Sequence, residues 1–220
     1  VKPTNYKIMN YNKILATAGT ALALGSSASE KAQAPHQEQP NFLFVLVDDQ
    51  PYDMLGIYER YPFLETPNMD KLAEEGVNFT NYYVTQSISS PSRASFLTGM
   101  YPHKHGVNQN HRKVDPDWES YMPYTAFLQN AGYETALIGK IHMAHFKGKK
   151  HIRPGFDYWF SFNGQGKFFD PMVNDNGREY KAEGYMTDIL TEKAVDWLTE
   201  NRDKSKPFNL CLWHKAIHEP

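Results

Sequence analysis

Two adjacent aspartates, Asp48 and Asp49, follow directly on the apolar run Phe42-Leu43-Phe44-Val45-Leu46-Val47. Carboxylates side by side at the mouth of a buried strand repel one another unless a cation or a basic partner balances them, and their hard oxygens suit calcium or magnesium. The tetrad Asp48-Asp49-Gln50-Pro51 reads equally as a solvated turn, and the dipeptide alone does not decide between the two. Serines gather in Ser89-Ser90-Pro91-Ser92-Arg93-Ala94-Ser95. A serine hydroxyl is a weak nucleophile until a base or a metal activates it. Lys140 and His142, then His214 and His218, add an ammonium and three imidazoles. Taken singly, Lys140 reads as a surface lysine and His142 or His218 as a satisfied structural histidine. Only joint placement gives them chemistry.

That placement depends on the elements around them. Phe42 to Val47 has the continuous apolar character of a strand buried on both faces. Thr66 to Gly76 carries a cap candidate, Pro67 in the first turn, a helical interior and a terminal glycine. Val77 to Val84 is β-branched and aromatic and is predicted as a strand, Tyr124 to Asn130 as a helix, and Thr135 to Ile138 as a short strand. Leu190, Ala194, Trp197 and Leu198 share one face of a helix between Thr187 and Asn201, and Phe208 to Trp213 is a further apolar strand. Strands separated by helices imply parallel pairing, hence an α/β fold with an open, mostly parallel sheet and helices on both faces. Ligands of such sheets bind beyond the carboxyl ends of the strands, which is where Asp48 and Asp49, Lys140 and His142, and His214 and His218 all fall.

The segment Ser89-Ser90-Pro91-Ser92-Arg93-Ala94-Ser95-Phe96-Leu97-Thr98-Gly99 resembles the signature of the type I, formylglycine-dependent sulfatases in its serine form, with Ser89 in the first position, Arg93 as the arginine and Leu97-Thr98-Gly99 closing it. The resemblance extends through Asn41 to Asp49, Thr66 to Ala73, Gly132 to His142 and His218-Glu219-Pro220, where Ile217 stands in place of a usual proline. It implies an alkaline-phosphatase-like sulfatase fold, truncated on its C-terminal side. Arg153 to Trp159, Asn163 to Gly166 and Phe169 to Pro171 look most similar to bacterial glycan sulfatases, including N-acetylglucosamine-6-sulfatases.

The resemblance implies hydrolysis of sulfate monoesters on a sulfated carbohydrate. Ser89 is then oxidised to formylglycine (3-oxoalanine) by a radical, serine-competent maturase, and the aldehyde hydrates. One hydroxyl of the hydrate attacks sulfur, and the other later expels sulfate. Asp48, Asp49 and Ser89 match metal ligands for calcium, with magnesium as the alternative; Arg93 holds the hydrated aldehyde, and Lys140 contacts sulfate. His142 matches the histidine that takes a proton during sulfate expulsion, and His218 the one that binds sulfate or protonates the leaving oxygen. Pro91 and Ser92 look like a helix start, which would set Ser89 near a positive helix terminus. Further metal ligands and a second sulfate-contacting lysine are expected beyond the match to His218. The chain is therefore expected to be an incomplete enzyme whose run Phe208 to Trp213 lacks burying neighbours. The alternatives are a phosphatase or phosphonate monoester hydrolase of the same superfamily, or a non-catalytic remnant that binds sulfated sugar.

Composition sets the outer bounds. With 220 residues, 40% hydrophobic and 22% charged, this is neither a disordered nor a fibrous chain, and a net charge of −2 gives no overall bias toward nucleic acid or anionic membrane. One cysteine, Cys211, excludes an intramolecular disulfide and reads as a core residue of the last strand. Residues 1–34 read as upstream sequence and a secretory signal peptide, with Ile14 to Gly25 as the apolar region, Met9 as the start and cleavage after Ala34 or Ala28; residues 35–220 then form one catalytic-domain portion. The apolar region is too short to span a bilayer, so a periplasmic or secreted protein is expected. His103 and His105 read as exposed or hydrogen-bonded rather than as ligands. The basic stretch His145, Lys147, Lys149, Lys150, His151, Arg153 reads as a solvated loop that could also hold a sulfated polymer. The sequon Asn78-Phe79-Thr80 is discounted because it falls in a predicted strand.

Overall fold

The computed structural model describes residues 39–111 and 113–219. The signal-peptide reading of residues 1–34 lies outside these residues. Six strands form one sheet: β1 (Phe42–Leu46), β2 (Glu134–Lys140), β3 (Tyr158–Phe162), β4 (Met172–Asp175), β5 (Arg178–Lys181) and β6 (Phe208–Trp213), in the spatial order β1-β6-β2-β3-β4-β5. β1, β6, β2 and β3 pair in parallel, so their carboxyl ends share one rim, while β4 and β5 add an antiparallel hairpin. The expected mostly parallel sheet is present.

Side chains alternate across this sheet with the period of two that a strand imposes. Ala136, Ile138, Phe160, Phe162 and Leu210 face one way and bury Met186, Leu190 and Ala194 of helix α4 (Met186–Asp196) together with Trp197. Leu137, Trp159, Cys211 and Trp213 face the other way, against Ala94 and Leu97 of α2 (Ser89–Thr98) and Tyr124 at the start of α3 (Tyr124–Asn130). Helices therefore cover both faces. Helix α1 (Pro67–Glu75) buries none of its residues. A side-chain knot fixes it instead: the Thr66 hydroxyl accepts from the Gly56 amide (2.7 Å) and donates to Asp70 (2.8 Å), which also accepts from the Ile57 amide (3.0 Å).

Three expectations need correction. Val77 to Val84 forms no strand and is exposed throughout: β-branched and aromatic content favours a strand only where a sheet edge is available to pair with. The sequon Asn78-Phe79-Thr80 therefore does not lie in a strand. The run Phe208 to Trp213 does not lack neighbours, because β6 inserts between β1 and β2 and fully buries Leu210, Cys211 and Trp213; the open apolar surface belongs instead to Phe42, Leu43 and Val45 of β1. The basic stretch is only partly solvated. His151 and Arg153 are buried, with Arg153 paired to Asp115 (3.1 Å) and donating to the carbonyls of Met143 (3.0 Å) and Ala144 (2.7 Å). Cys211 is a core residue, and His105 is buried and bonded to Ser95 (3.0 Å), as their types suggested.

Candidate active site

The rim site forms because loops leaving β1 and β6 are sewn together just past the last strand pair. The His214 amide donates to the Leu46 carbonyl (2.8 Å), the Asp48 amide to Ala216 (2.8 Å) and the Ile217 amide to Asp48 (2.9 Å). These bonds fix the carboxylate of Asp48 at the rim, 5% exposed. Asp49 takes a left-handed conformation (φ 59°), which turns its side chain away from Asp48 and leaves it exposed.

Asp48 is the hub. Its Oδ1 accepts from the Ser89 hydroxyl (3.3 Å) and from Arg93 Nη2 (3.2 Å), and its Oδ2 accepts from Lys140 Nζ. Lys140, the last residue of β2 and fully buried, also donates to Ser89 Oγ (3.3 Å) and to the side-chain carbonyl of Gln165, so its three protons have three acceptors. The Ser89 hydroxyl is thus held between a carboxylate that accepts its proton and an ammonium that donates to its oxygen. It opens α2, where unpaired amides and the helix dipole favour a negatively charged group. Arg93, one turn along, is buried, stacks on Trp213 at 5.4 Å and leaves Nε and Nη1 with no partner among the described residues. Buried guanidinium protons without an acceptor are costly, and an incoming oxyanion is the natural acceptor for them.

Charge in the cluster follows from burial. Burial pushes the Asp48 carboxyl up, but Arg93 and Lys140 outweigh it and hold it below the usual range. Burial lowers Lys140 to about 8 against the opposing pull of Asp48. His142, half-buried with a left-handed backbone (φ 52°), is lowered to about 4 by burial and then by the charges of Lys140 and Arg93, so its ring is neutral at pH 7. Its carbonyl accepts from Ser90, and its Nδ1 has no partner among the described residues.

Gln165 joins the cluster to His218. While its carbonyl accepts from Lys140, its amide lies 3.0 Å from His218 Nε2; the His218 Nδ1 faces the Glu219 carbonyl at 2.8 Å, and Asp49 lies 3.3 Å from Nε2. The carbonyl requires a proton on Nδ1, which leaves Nε2 to accept from Gln165 in the neutral ring. Asp48, Ser89, Arg93 and Lys140 are therefore in direct contact, with Asp49 and His218 paired beside them. His142 lines an adjoining cavity with Gln165 and Asn110. His214 makes no side-chain bond to the cluster among the described residues, and its Nδ1 is buried without a partner.

Two participants were not singled out from sequence. Gln165 carries no charge, so its type gave no signal. Lys215 is a buried ammonium 3.8 Å from the Phe168 ring that donates to the Glu219 carbonyl (3.1 Å), which ties the loop of Gln165 to the segment of His218. A lysine two residues past a strand is usually solvated.

The fit of a hard cation can be judged from the donors. Asp48, Asp49 and Ser89 offer only oxygens, the right chemistry for calcium or magnesium, and they line one cavity of about 250 Å³ with Arg93. They fit as one side of a shell, since calcium takes about six to eight oxygens. Among the described residues no group of three or more His, Cys, Asp or Glu side chains is arranged to hold a metal.

Known proteins resemble this chain along most of its length. The family model described as Sulfatase matches residues 40–220. The N-acetylglucosamine-6-O-sulfatase of Bacteroides thetaiotaomicron is 38% identical over 201 residues, covering 90% of this chain and 34% of that protein. The N-acetylgalactosamine-6-sulfatase of Canis lupus familiaris is 30% identical over 238 residues, covering 94% of this chain and 45% of its own length. Among solved structures, BT4656 in complex with its substrate D-glucosamine-2-N,6-O-disulfate matches with a TM-score of 0.74 at 37% identity, over 83% of this chain and 35% of that one. This chain thus spans between about a third and a half of the length of these relatives. A Sulfatase match over nearly every described residue, on a sheet of the expected kind, settles the family: the chain belongs to the sulfatases.

Proposed function

We propose that this chain is the part of a glycan sulfatase that carries the nucleophile, and that the protein hydrolyses sulfate monoesters on an amino-sugar-containing carbohydrate outside the cytoplasm. The observation that carries this reading is the convergence of Ser89, Arg93 and Lys140 on Asp48 at the start of α2. Two buried cations beside a hydroxyl at a helix N-terminus make a site for an oxyanion with a nucleophile in reach. Relatives named for 6-sulfated amino sugars support the substrate class.

In this reading Ser89 is oxidised to formylglycine, whose hydrate supplies a nucleophilic hydroxyl and a way to release sulfate without water attacking sulfur. Asp48 and Asp49 would hold a calcium or magnesium ion, which supplies positive charge to the developing oxyanion. The remaining work falls to the chain's own residues. Lys140 and Arg93 bind and orient sulfate oxygens, their burial strengthening each contact by excluding water. The neutral ring of His142 is able to take a proton, and His218, backed by Asp49, is placed to donate one once protonated. Among the described residues no helix is long and apolar enough to cross a membrane.

The test is mass spectrometry and turnover together. Protein co-produced with a serine-competent maturase should lose two hydrogens at Ser89 and at no neighbouring serine, and hydrolysis of glucosamine 6-sulfate should vanish in Ser89→Ala. Unmodified Ser89 in protein from the native host overturns the formylglycine reading. Phosphate-ester turnover exceeding sulfate-ester turnover overturns the substrate reading.

A further inference from the structure

A further cavity, of about 410 Å³, lies between the turn at Lys147 and the β4–β5 hairpin, within the roughly 300–1,000 Å³ range of ligand pockets. Lys147, Lys167 and Lys181 line it, with Asp170 and Glu179 as the acidic members. The acids are engaged: Asp170 pairs with Lys181 (3.3 Å), and Glu179 accepts from the Gly148 amide (3.2 Å). Lys147 and Lys167 are exposed and form no ion pair among the described residues. The walls are built. Asn174 donates to the Gly148 carbonyl (2.9 Å) and accepts from Gly177 (2.9 Å), while Asn163 donates to the Phe146 carbonyl (3.0 Å), which locks the turn against the hairpin.

Its position gives the cavity meaning. Asn163 and Gly166 line both this cavity and the one that holds His142 and Gln165. A chain of sugars entering the second would therefore run past Gln165 into the first. Gly166 is left-handed (φ 68°), and a Cβ there would stand 2.5 Å from the Phe162 ring, so at this point the shared wall carries no side chain. It keeps the passage low.

We infer that the Lys147–Lys167 cavity is a second, anion-binding subsite that holds a neighbouring sulfated or carboxylated sugar of the same glycan. This rests on the sulfatase reading of the Asp48 cluster and deepens it, since it makes the preferred substrate a polyanionic oligosaccharide rather than a single sulfated sugar. Exposed ammonium groups give modest, salt-sensitive attraction, which suits a subsite that grips extension units while the buried cations grip the sulfate to be cleaved.

Calorimetry on Ser89→Ala protein, which cannot turn substrate over, tests this with glucosamine 6-sulfate and with a sulfated glucosamine-containing tetrasaccharide. Lys147→Ala/Lys167→Ala should weaken the tetrasaccharide roughly 5- to 20-fold at low salt and leave the monosaccharide unchanged. Lys147→Arg/Lys167→Arg should restore it. A desulfated, carboxylate-bearing tetrasaccharide that keeps the lysine dependence assigns the contact to carboxylate, and one that loses it assigns the contact to sulfate; either supports the subsite. A tetrasaccharide affinity indifferent to both lysines overturns it, as does no tetrasaccharide binding at all. Lysine-dependent tetrasaccharide binding without monosaccharide binding keeps the subsite and refutes the reading of the Asp48 cluster.

Discussion

Replacing Asp48 by Asn tests whether the rim site is held by one buried anion. The carboxylate is 5% exposed, and the side chains of Arg93 and Lys140 that flank it are 2% and 0% exposed. Removing one member of such a cluster leaves two cations buried without a counter-charge, which costs about 3–5 kcal/mol. Asparagine keeps the shape and one acceptor, so the loss should lie near ~3 kcal/mol. For a chain of this size each kcal/mol moves the midpoint by about 2–4 °C, so Tm should fall by about 6–12 °C. The control is Asp49→Asn: that side chain is 62% exposed, and asparagine tolerates its left-handed backbone, so a change within ~0.5 kcal/mol is expected. Thermal melts by circular dichroism, run with EDTA so that no divalent cation contributes, read both. The double variant Asp48→Asn/Lys140→Gln removes the stranded ammonium as well and should be more stable than the sum of the single losses predicts. The reasoning fails if Asp48→Asn melts within 2 °C of the parent, or if the double variant loses the full sum.

Two further perturbations probe the frame around the site. Gly139 precedes Lys140 on β2 at φ 130°, and a Cβ there would stand 1.9 Å from the Trp213 carbonyl oxygen of β6; Gly139→Ala should cost more than ~3 kcal/mol or yield insoluble protein. Gly132→Ala, with a left-handed backbone but nothing within 4 Å, should cost only about 1–2 kcal/mol in the same melts, and equal behaviour of the two refutes the clash. His151 is fully buried, accepts from Trp159 Nε1 (2.9 Å), and is lowered from 6.5 to about 3 by burial and then by Arg153. Between those values the unfolded chain binds the proton and the folded chain does not, so stability is complete above pH 6.5 and falls as pH drops, by up to about 1.4 kcal/mol per unit. Urea midpoints between pH 7 and pH 5 should show a shallower fall for His151→Asn, which keeps an acceptor and cannot take the proton. An unchanged slope removes His151 from the acid response.

What the chain disclosed in advance was what is local. The signature from Ser89 to Gly99 lies within one helix and its glycine cap, so a helix start was legible at Pro91 and Ser92, although the helix begins two residues earlier, at Ser89 itself, with Arg93 one turn along. β2 and β6 are apolar runs because both faces of the central sheet are covered there, and that too is written residue by residue, whereas β1, an apolar run that reads the same way, is an edge strand that leaves Phe42, Leu43 and Val45 exposed. The hairpin was legible but unread: Asn176-Gly177, both left-handed at φ 49° and 93°, form the two-residue turn that joins tightly paired strands. Strand order was not legible, because the place of β6 between β1 and β2 depends on pairing across more than seventy residues of intervening chain. The same holds for chemistry. An aspartate after a strand announces a charge, but whether that charge meets a metal, a turn or two cations depends on which loops the sheet brings beside it. Here the sheet brings Lys140 from β2 and, through the bonds that join the β1 and β6 loops, His218 from β6. Gln165 lies outside any such signal, since a neutral amide becomes informative only once its two ends are seen to touch Lys140 and His218 at once. It links the Lys140 ammonium to the His218 ring without adding a charge, which a carboxylate in its place could not do without competing with Asp48 for Lys140.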